Sequence, residues 1–403
     1  MTDPSRVRIS GPLQPFLSGF ATELVRQGYT PRSLLTQLNL LAHVSRWLHA
    51  RDLDIGDLPE QAQQFLGARQ DAGYKSLLTG KALRPLLTYL RTRGAIPPAP
   101  TPLPAGPVDQ TLVRYRHYLS AERGLMPDTA RGYVDAARPF LRRCVSADGL
   151  ALDLTSLDEA DVTAFLVTCC AEQSPRATQR TASALRSLLG FLHLTGAVTR
   201  SLAAAVPSVA GRRLVGLPLH LEPDHVQRLL AVCNRRTLGG RRDFAVITTL
   251  ARLGLRAAEV ATLRLDDLRW RAGEIVVHGK GRRAERMPLP TDVGKAITAY
   301  LRQRPAHAQG RTVFVRLLAP LRPLSPTTVT GIVAAAARRA GLGCIHAHRL
   351  RHFAATQLLR AGAPLSEIQQ FLRHDRLQTT AIYTKVDYDA LRTIARAWPG
   401  GAA

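Results

Sequence analysis

Residues His346 to Gly362 read HAHRLRHFAATQLLRAG. On a helix, His348 and Arg351 lie three apart and share one face, setting a titratable imidazole beside a permanently charged guanidinium. In an arginine-rich chain that spacing alone says little, so its company decides. Downstream, Phe371 to Asp387 reads FLRHDRLQTTAIYTKVD, with His374 followed nine residues later by Tyr383. Upstream, Ala251 to Leu263 reads ARLGLRAAEVATL and carries Arg256 just after a helix break at Gly254. Between these lies EIVVHGKGRRAERMPLP, Glu274 to Pro290. Its β-branched run Ile275 to Val277, its Gly279-Lys280-Gly281 turn and its second short extended run predict a hairpin with a basic tip.

Arg, Lys, His, Arg, His and Tyr, with no acidic pair to hold Mg²⁺, suit one kind of chemistry. Two arginines can hold the non-bridging oxygens of a phosphodiester and stabilise charge developing in its transition state. A tyrosine hydroxyl can attack phosphorus and form a covalent phosphotyrosine. A lysine can protonate the departing sugar oxygen, and a histidine can manage the tyrosine proton. The expected mechanism therefore uses neither a metal nor another cofactor.

In order and spacing these blocks resemble the tyrosine recombinase (phage integrase-like) family. The resemblance rests on LGLRAAEVATLRLDDL, HGKGRRAERMPL, HAHRLRHFAATQLLRAG and LRHDRLQTTAIY, spanning Leu253 to Tyr383. It implies a helical catalytic domain with a small sheet, preceded by a helical core-binding domain that closes a clamp around DNA. It assigns Arg256 and Arg351 to the scissile phosphate and Lys280 to protonation of the 5′ oxygen. His348 becomes an acid/base partner, His374 a hydrogen-bond donor to a phosphate oxygen, and Tyr383 the nucleophile. Glu259, one turn from Arg256, matches an acidic position that supports the site. Two departures stand out. The family often has Leu-Gly-His where this chain has Leu372-Arg373-His374, which removes a residue tolerant of positive φ. Phe353 replaces a small hydroxyl residue. Neither change removes a reactive group.

Other residues fall away. The motif register selects His348 over His346 and His352, and the TTAIY pattern selects Tyr383 over Tyr388. Trp47 and Trp270 are expected in the core. Arg282, Arg283 and Arg286 read as a solvated basic turn or as phosphate contacts.

The surrounding composition agrees. The 403 residues carry a net charge of +25, unevenly placed: about +6 over residues 1–200 and about +19 over 201–403, counted along the chain. No acidic residue occurs between Ala299 and Gln357. Such a field favours a polyanion, with nucleic acid the first candidate. No apolar run is long enough for a membrane helix, and the N-terminus lacks the apolar region of a secretory leader. The five cysteines form no CxxC pair, and read as reduced thiols in a cytoplasmic protein.

Two linkers divide the chain. Pro97 to Pro107 (PPAPTPLPAGP) is proline-dense, and Ser201 to Leu219 mixes small residues, Pro and Gly without a helical period. The segments flanking the first linker look like copies of one unit. QGYTPRSLLTQLNLLAHVSRWL, Gln27 to Leu48, resembles RGLMPDTARGYVDAARPFLRRC, Arg123 to Cys144. Gly28 and Pro31 match Gly124 and Pro127 in these two stretches. LLTYLRTRGAIP, Leu86 to Pro97, likewise resembles LLGFLHLTGAVT, Leu188 to Thr199.

The expected architecture is mainly α and multidomain: tandem N-terminal helical modules, then a mixed α/β catalytic domain with a small β-sheet or hairpin. Residues 1–105 form the extra helical module, 106–207 the core-binding (SAM-like) domain and 213–403 the catalytic domain. The leading reading is a site-specific DNA recombinase of integrase or transposon type, forming a 3′-phosphotyrosine without metal or ATP. Its rivals are a relaxing topoisomerase with similar side chains and a catalytically silent architectural DNA-binding protein. The partners expected are double-stranded recombination sites and a homo-tetramer on paired sites, with an accessory or sister recombinase as a further candidate. The stripe Leu391, Ile394, Ala395, Trp398 near the C-terminus is the expected docking element between protomers.

Overall fold

The structure, a computed structural model, describes residues 7–99, 106–209, 221–279, 284–306, 308 and 310–373. Lys280, Arg282, Arg283, His374, Tyr383, Tyr388 and the C-terminal stripe lie outside the described residues. The chain divides into two compact units, Met1–Pro98 with Gly216–Ala403, and Ala99–Val215.

Four helices build the N-terminal part of the first unit: α1 (Leu17–Arg26), α2 (Pro31–His49), α3 (Leu58–Asp71) and α4 (Gly80–Thr92). The start of α2 follows local chemistry. Pro31 occupies the first turn, where no backbone donor is needed, and the Thr30 hydroxyl accepts from the Ser33 N–H at 3.3 Å. Leu24, Leu38, Leu41, Val44, Leu48, Phe65, Leu83 and Leu90 fill the core between the helices. Trp47 is half-buried, packing against this core and edge-on to Phe65 at 5.6 Å.

The second unit repeats that order of helices: α5 (Pro107–His117), α6 (Pro127–Arg143), α7 (Glu159–Glu172) and α8 (Pro175–Leu194). Gly28 before α2 and Gly124 before α6 both adopt positive φ, as do Gly94 after α4 and Gly196 after α8. Ile96 and Val198, two residues past those last glycines, are both buried. The paired stretches of sequence thus share helix order and turn geometry.

The C-terminal part of the first unit contains α9 (Pro223–Ala231), α10 (Leu238–Leu253) and α11 (Ala257–Thr262). Strands β1 (Leu268–Arg269), β2 (Glu274–His278) and β3 (Ala284–Pro288) follow, then α12 (Thr291–Leu301), α13 (Pro326–Arg339), α14 (Ala347–Arg360) and α15 (Leu365–Leu372). The sheet is antiparallel in the order β1-β2-β3, with Ile275 opposite Met287 and Val277 opposite Glu285. Ile275 and Val277 point into the core with Val246, Ile247, Leu250, Tyr300, Phe314, Val333 and Leu350. β1 is a two-residue addition to the expected hairpin. Trp270 departs from its expected place: it is 47% exposed, because it sits in the turn between β1 and β2 and lies over Gly294 rather than within the core. Among the described residues no helix is long and apolar enough to cross a membrane.

Within the first unit, the turn after α1 meets the loop before α13. The Leu321 N–H donates to the Gln27 carbonyl at 3.0 Å, and the Leu321 side chain is buried. Gly28 has φ +82°, and a Cβ there would lie 2.3 Å from Leu321 Cδ1. Gly28→Ala therefore combines left-handed strain with overpacking, at about 1–3 kcal/mol. Amide exchange at Leu321 should accelerate in that variant relative to the wild type. Unchanged protection at Leu321 would show that the contact tolerates a methyl group.

Candidate active site

The site begins where α10 stops. Gly254 caps the helix in the left-handed conformation at φ +57°. Phe371, Leu372 and Ala354 approach so closely that a Cβ there would meet side chains at 3.1–3.4 Å. The chain then turns through buried Leu255 and places Arg256 at the head of α11. Glu259, three residues on, reaches back: its Oε2 accepts the Arg256 backbone N–H at 2.8 Å, and its Oε1 accepts from Arg256 Nη1 at 2.7 Å. A single carboxylate thus closes the helix start and orients the guanidinium. The Glu259 side chain is 4% exposed and that of Arg256 38% exposed, so the arginine is the accessible member of the pair.

Arg351 comes from the second half of the C-terminal part. It lies on α14, and only 1% of its surface is exposed. Its Nη1 donates to the Gly254 carbonyl at 2.5 Å, and its Nη2 donates to the Leu372 carbonyl. One planar guanidinium therefore joins α14 to the ends of both α10 and α15. His348, one turn earlier on α14, is exposed, with its ring 4.4 Å from that of His352 in an edge-on contact. Phe353, the second of the two departures from the family pattern, is half-buried against the domain core.

Arg373 is the residue that sequence reasoning missed. It ends α15 with φ +54° and ψ +50°, taking the left-handed conformation where the family often has glycine. Its side chain is 3% exposed, and its Nη2 donates to Glu259 Oε2 at 2.8 Å. Its Nη1 lies 2.8 Å from Met287 Sδ on β3, and its carbonyl accepts from Arg256 Nη2 at 3.1 Å. The signal was present in the charged residue standing where a glycine was expected, with Glu259 as an available counter-charge. Burial pushes the Glu259 carboxyl up, but the charge of Arg373 and the hydrogen bonds from Arg256 outweigh it and hold the group below the ordinary carboxylate range.

A second anchor serves the hairpin. His278, the last residue of β2, holds Asp267 Oδ1 at 2.9 Å through Nε2, and the buried Asp267 also accepts the Arg264 N–H at 2.8 Å. This pair fixes the strand two residues before Lys280. Arg286 projects from β3 as an exposed residue.

The structure thus brings Arg256, Glu259 and Arg351 together through the Gly254 turn and the end of α15, and sets His348 on the helix of Arg351. Three guanidiniums against one carboxylate leave this cluster with a net positive charge, and Arg256 is its solvent-accessible member. Comparison with known proteins identifies the family. Residues 220–390 match the Phage integrase family, and residues 112–196 match the Phage integrase, N-terminal SAM-like domain. The Putative integrase/recombinase y4rA of Sinorhizobium fredii (strain NBRC 101917 / NGR234) is 40% identical over 399 residues, covering 97% of this chain and 96% of that protein. The Tyrosine recombinase XerD of Listeria monocytogenes serotype 4b (strain F2365) is 32% identical over 277 residues, 68% of this chain and 92% of its own. Among solved structures, XerH recombinase bound to a palindromic difH substrate aligns with TM-score 0.55 at 20% identity, over 72% of this chain and 85% of that one. A lambda integrase dimer bound to a COC′ core site aligns with TM-score 0.53 at 17% identity, over 68% and 94%. The chain belongs to the phage integrase family, the tyrosine-type site-specific DNA recombinases.

Proposed function

We propose that this recombinase cuts and rejoins DNA through a 3′-phosphotyrosine on Tyr383, with Arg256 and Arg351 at the scissile phosphate. The observation that carries the reading is the Arg256–Glu259–Arg351 arrangement around the Gly254 turn. The Tyr383 oxygen attacks phosphorus, the bond to the 5′ oxygen breaks, and Lys280 delivers the proton that this oxygen takes away. His348 handles the tyrosine proton, and His374, directly after Arg373, donates to a phosphate oxygen. The guanidiniums supply the charge stabilisation that a metal would otherwise provide, so full cleavage in EDTA is expected.

The net charge of +25 supports DNA as the substrate. Solved relatives of similar fold include a lambda integrase tetramer bound to a Holliday junction, aligned with TM-score 0.54 at 17% identity. That assembly supports a tetramer of this chain on paired sites, since exchanging two duplexes takes four cuts and one tyrosine for each. Residues 106–207 are the core-binding domain, 213–403 the catalytic domain and 1–105 an added module, and a chain working on such DNA acts in the cytoplasm. An accessory or sister recombinase would join at the paired sites.

Incubation with supercoiled plasmid carrying or lacking the cognate site, in EDTA, tests this function. Recombinant products only with the site are expected. Relaxation of both plasmids would indicate a topoisomerase, and binding without cleavage an architectural protein. The leaving-group role has its own test. Lys280→Ala should slow cleavage on the order of 10²-fold or more, and a substrate with a 5′-bridging sulfur, a better leaving group, should restore it. Absence of rescue would remove Lys280 from the general-acid role.

A further inference from the structure

We propose that Arg373 is a positioning residue for strand cleavage: by sharing Glu259 with Arg256, it leaves Arg256 with net positive charge to present to the scissile phosphate. The inference rests on the functional reading above.

The geometry is that of one carboxylate between two guanidiniums. Glu259 Oε1 takes Arg256 Nη1 at 2.7 Å, and Oε2 takes both the Arg256 N–H and Arg373 Nη2 at 2.8 Å. Alone, the buried Glu259 would pair with Arg256 and cancel its charge. With Arg373 present, the trio carries one positive charge in excess. Glu259 and Arg373 are 4% and 3% exposed, whereas Arg256 is 38% exposed. The excess is therefore expressed at Arg256, the member that solvent and a DNA phosphate can reach.

The backbone points the same way. A non-glycine residue in the left-handed region costs on the order of 1–3 kcal/mol and persists only where its surroundings hold it. At Arg373 those surroundings are Glu259, the Phe371 carbonyl and Met287 Sδ. The same residue gives its carbonyl to Arg256 Nη2 at 3.1 Å. Arg256 is thus held from both sides of Arg373, through its side chain by way of Glu259 and directly through its main chain. The contact with Met287 also ties the site to β3, which follows Lys280 in the chain.

The test compares Arg373→Met, Arg373→Lys and Arg373→Gly with the wild-type protein in single-turnover cleavage of a suicide substrate, with DNA affinity and melting temperature measured alongside. Arg373→Met should slow cleavage about 10- to 100-fold while changing affinity no more than about threefold, and Arg373→Lys should recover much of the loss. Arg373→Gly restores the residue favoured by the backbone, so it keeps the assay interpretable if the Met variant folds poorly. It should still be slow. The decisive readout is a substrate with a neutral methylphosphonate at the scissile position, where less positive charge is needed. There the deficits of the Met and Gly variants should shrink to about threefold or less. Wild-type rates in both variants, or equal deficits on the two substrates, would overturn the proposal and leave Arg373 a packing residue. Failure of the wild-type protein to form any adduct would instead overturn the functional reading beneath it.

Discussion

Tyr383→Phe is expected to abolish the covalent protein–DNA adduct, lowering cleavage by on the order of 10⁴-fold or more, while leaving binding to the site nearly unchanged. The substitution removes one oxygen and keeps the ring. A free phenol has a pKa of about 10, so attack at neutral pH needs positive charge and a proton acceptor close by. In the proposed mechanism Arg256 and Arg351 supply the charge, and His348 the acceptor. An SDS-stable adduct in the Phe variant would move the nucleophile to Tyr388 or another residue. Gel-shift affinity measured on the same preparation separates loss of chemistry from loss of binding.

Arg351→Met should fail in two ways at once. The guanidinium is buried and donates to the carbonyls of Gly254 and Leu372, so its loss leaves both acceptors without a charged donor. Hydrogen bonds to charged groups contribute about 1.5–3 kcal/mol each, and two such losses should lower the melting temperature by roughly 5–15 °C. Cleavage should fall about 10²–10³-fold or further, since the proposed mechanism places the Arg351 charge at the scissile phosphate. Arg351→Lys keeps the charge but lacks the planar fork that spans two carbonyls. It should regain part of the stability and little of the rate. A Met variant with wild-type melting and wild-type cleavage would contradict both roles of Arg351.

What the sequence discloses here follows the range of the interactions. Arg256 and Glu259 are three residues apart on one short helix, so their pairing is a local spacing and was legible. Helices α2 and α6 announce themselves through a glycine turn followed by proline and an apolar period, and the β2–β3 hairpin through its Gly-rich turn. Strand β1 has two residues, too few to show alternation. Trp270 looks like core by residue type, yet the turn holding it faces outward. Arg351 with Gly254, and Arg373 with Glu259, are separated by 97 and 114 residues, and no local pattern encodes contacts of that length. Arg373 also runs against propensity: a side chain that disfavours positive φ is held there by an ion pair supplied from α11.

The most direct measurement is chemical mapping of the trapped adduct. A nicked suicide substrate should be left joined to the protein, the complex digested with trypsin, and the DNA-bearing peptide sequenced by mass spectrometry. Cleavage after Arg376 and Lys385 isolates LQTTAIYTK, Leu377 to Lys385, whereas Tyr388 falls in the next peptide, Val386 to Arg392. The expected result is DNA attached through its 3′-phosphate to Tyr383 in the first peptide, with a free 5′-hydroxyl on the released strand, and the same yield in EDTA. Attachment to Tyr388, linkage through a 5′-phosphate, or an adduct formed only with added divalent metal would contradict it.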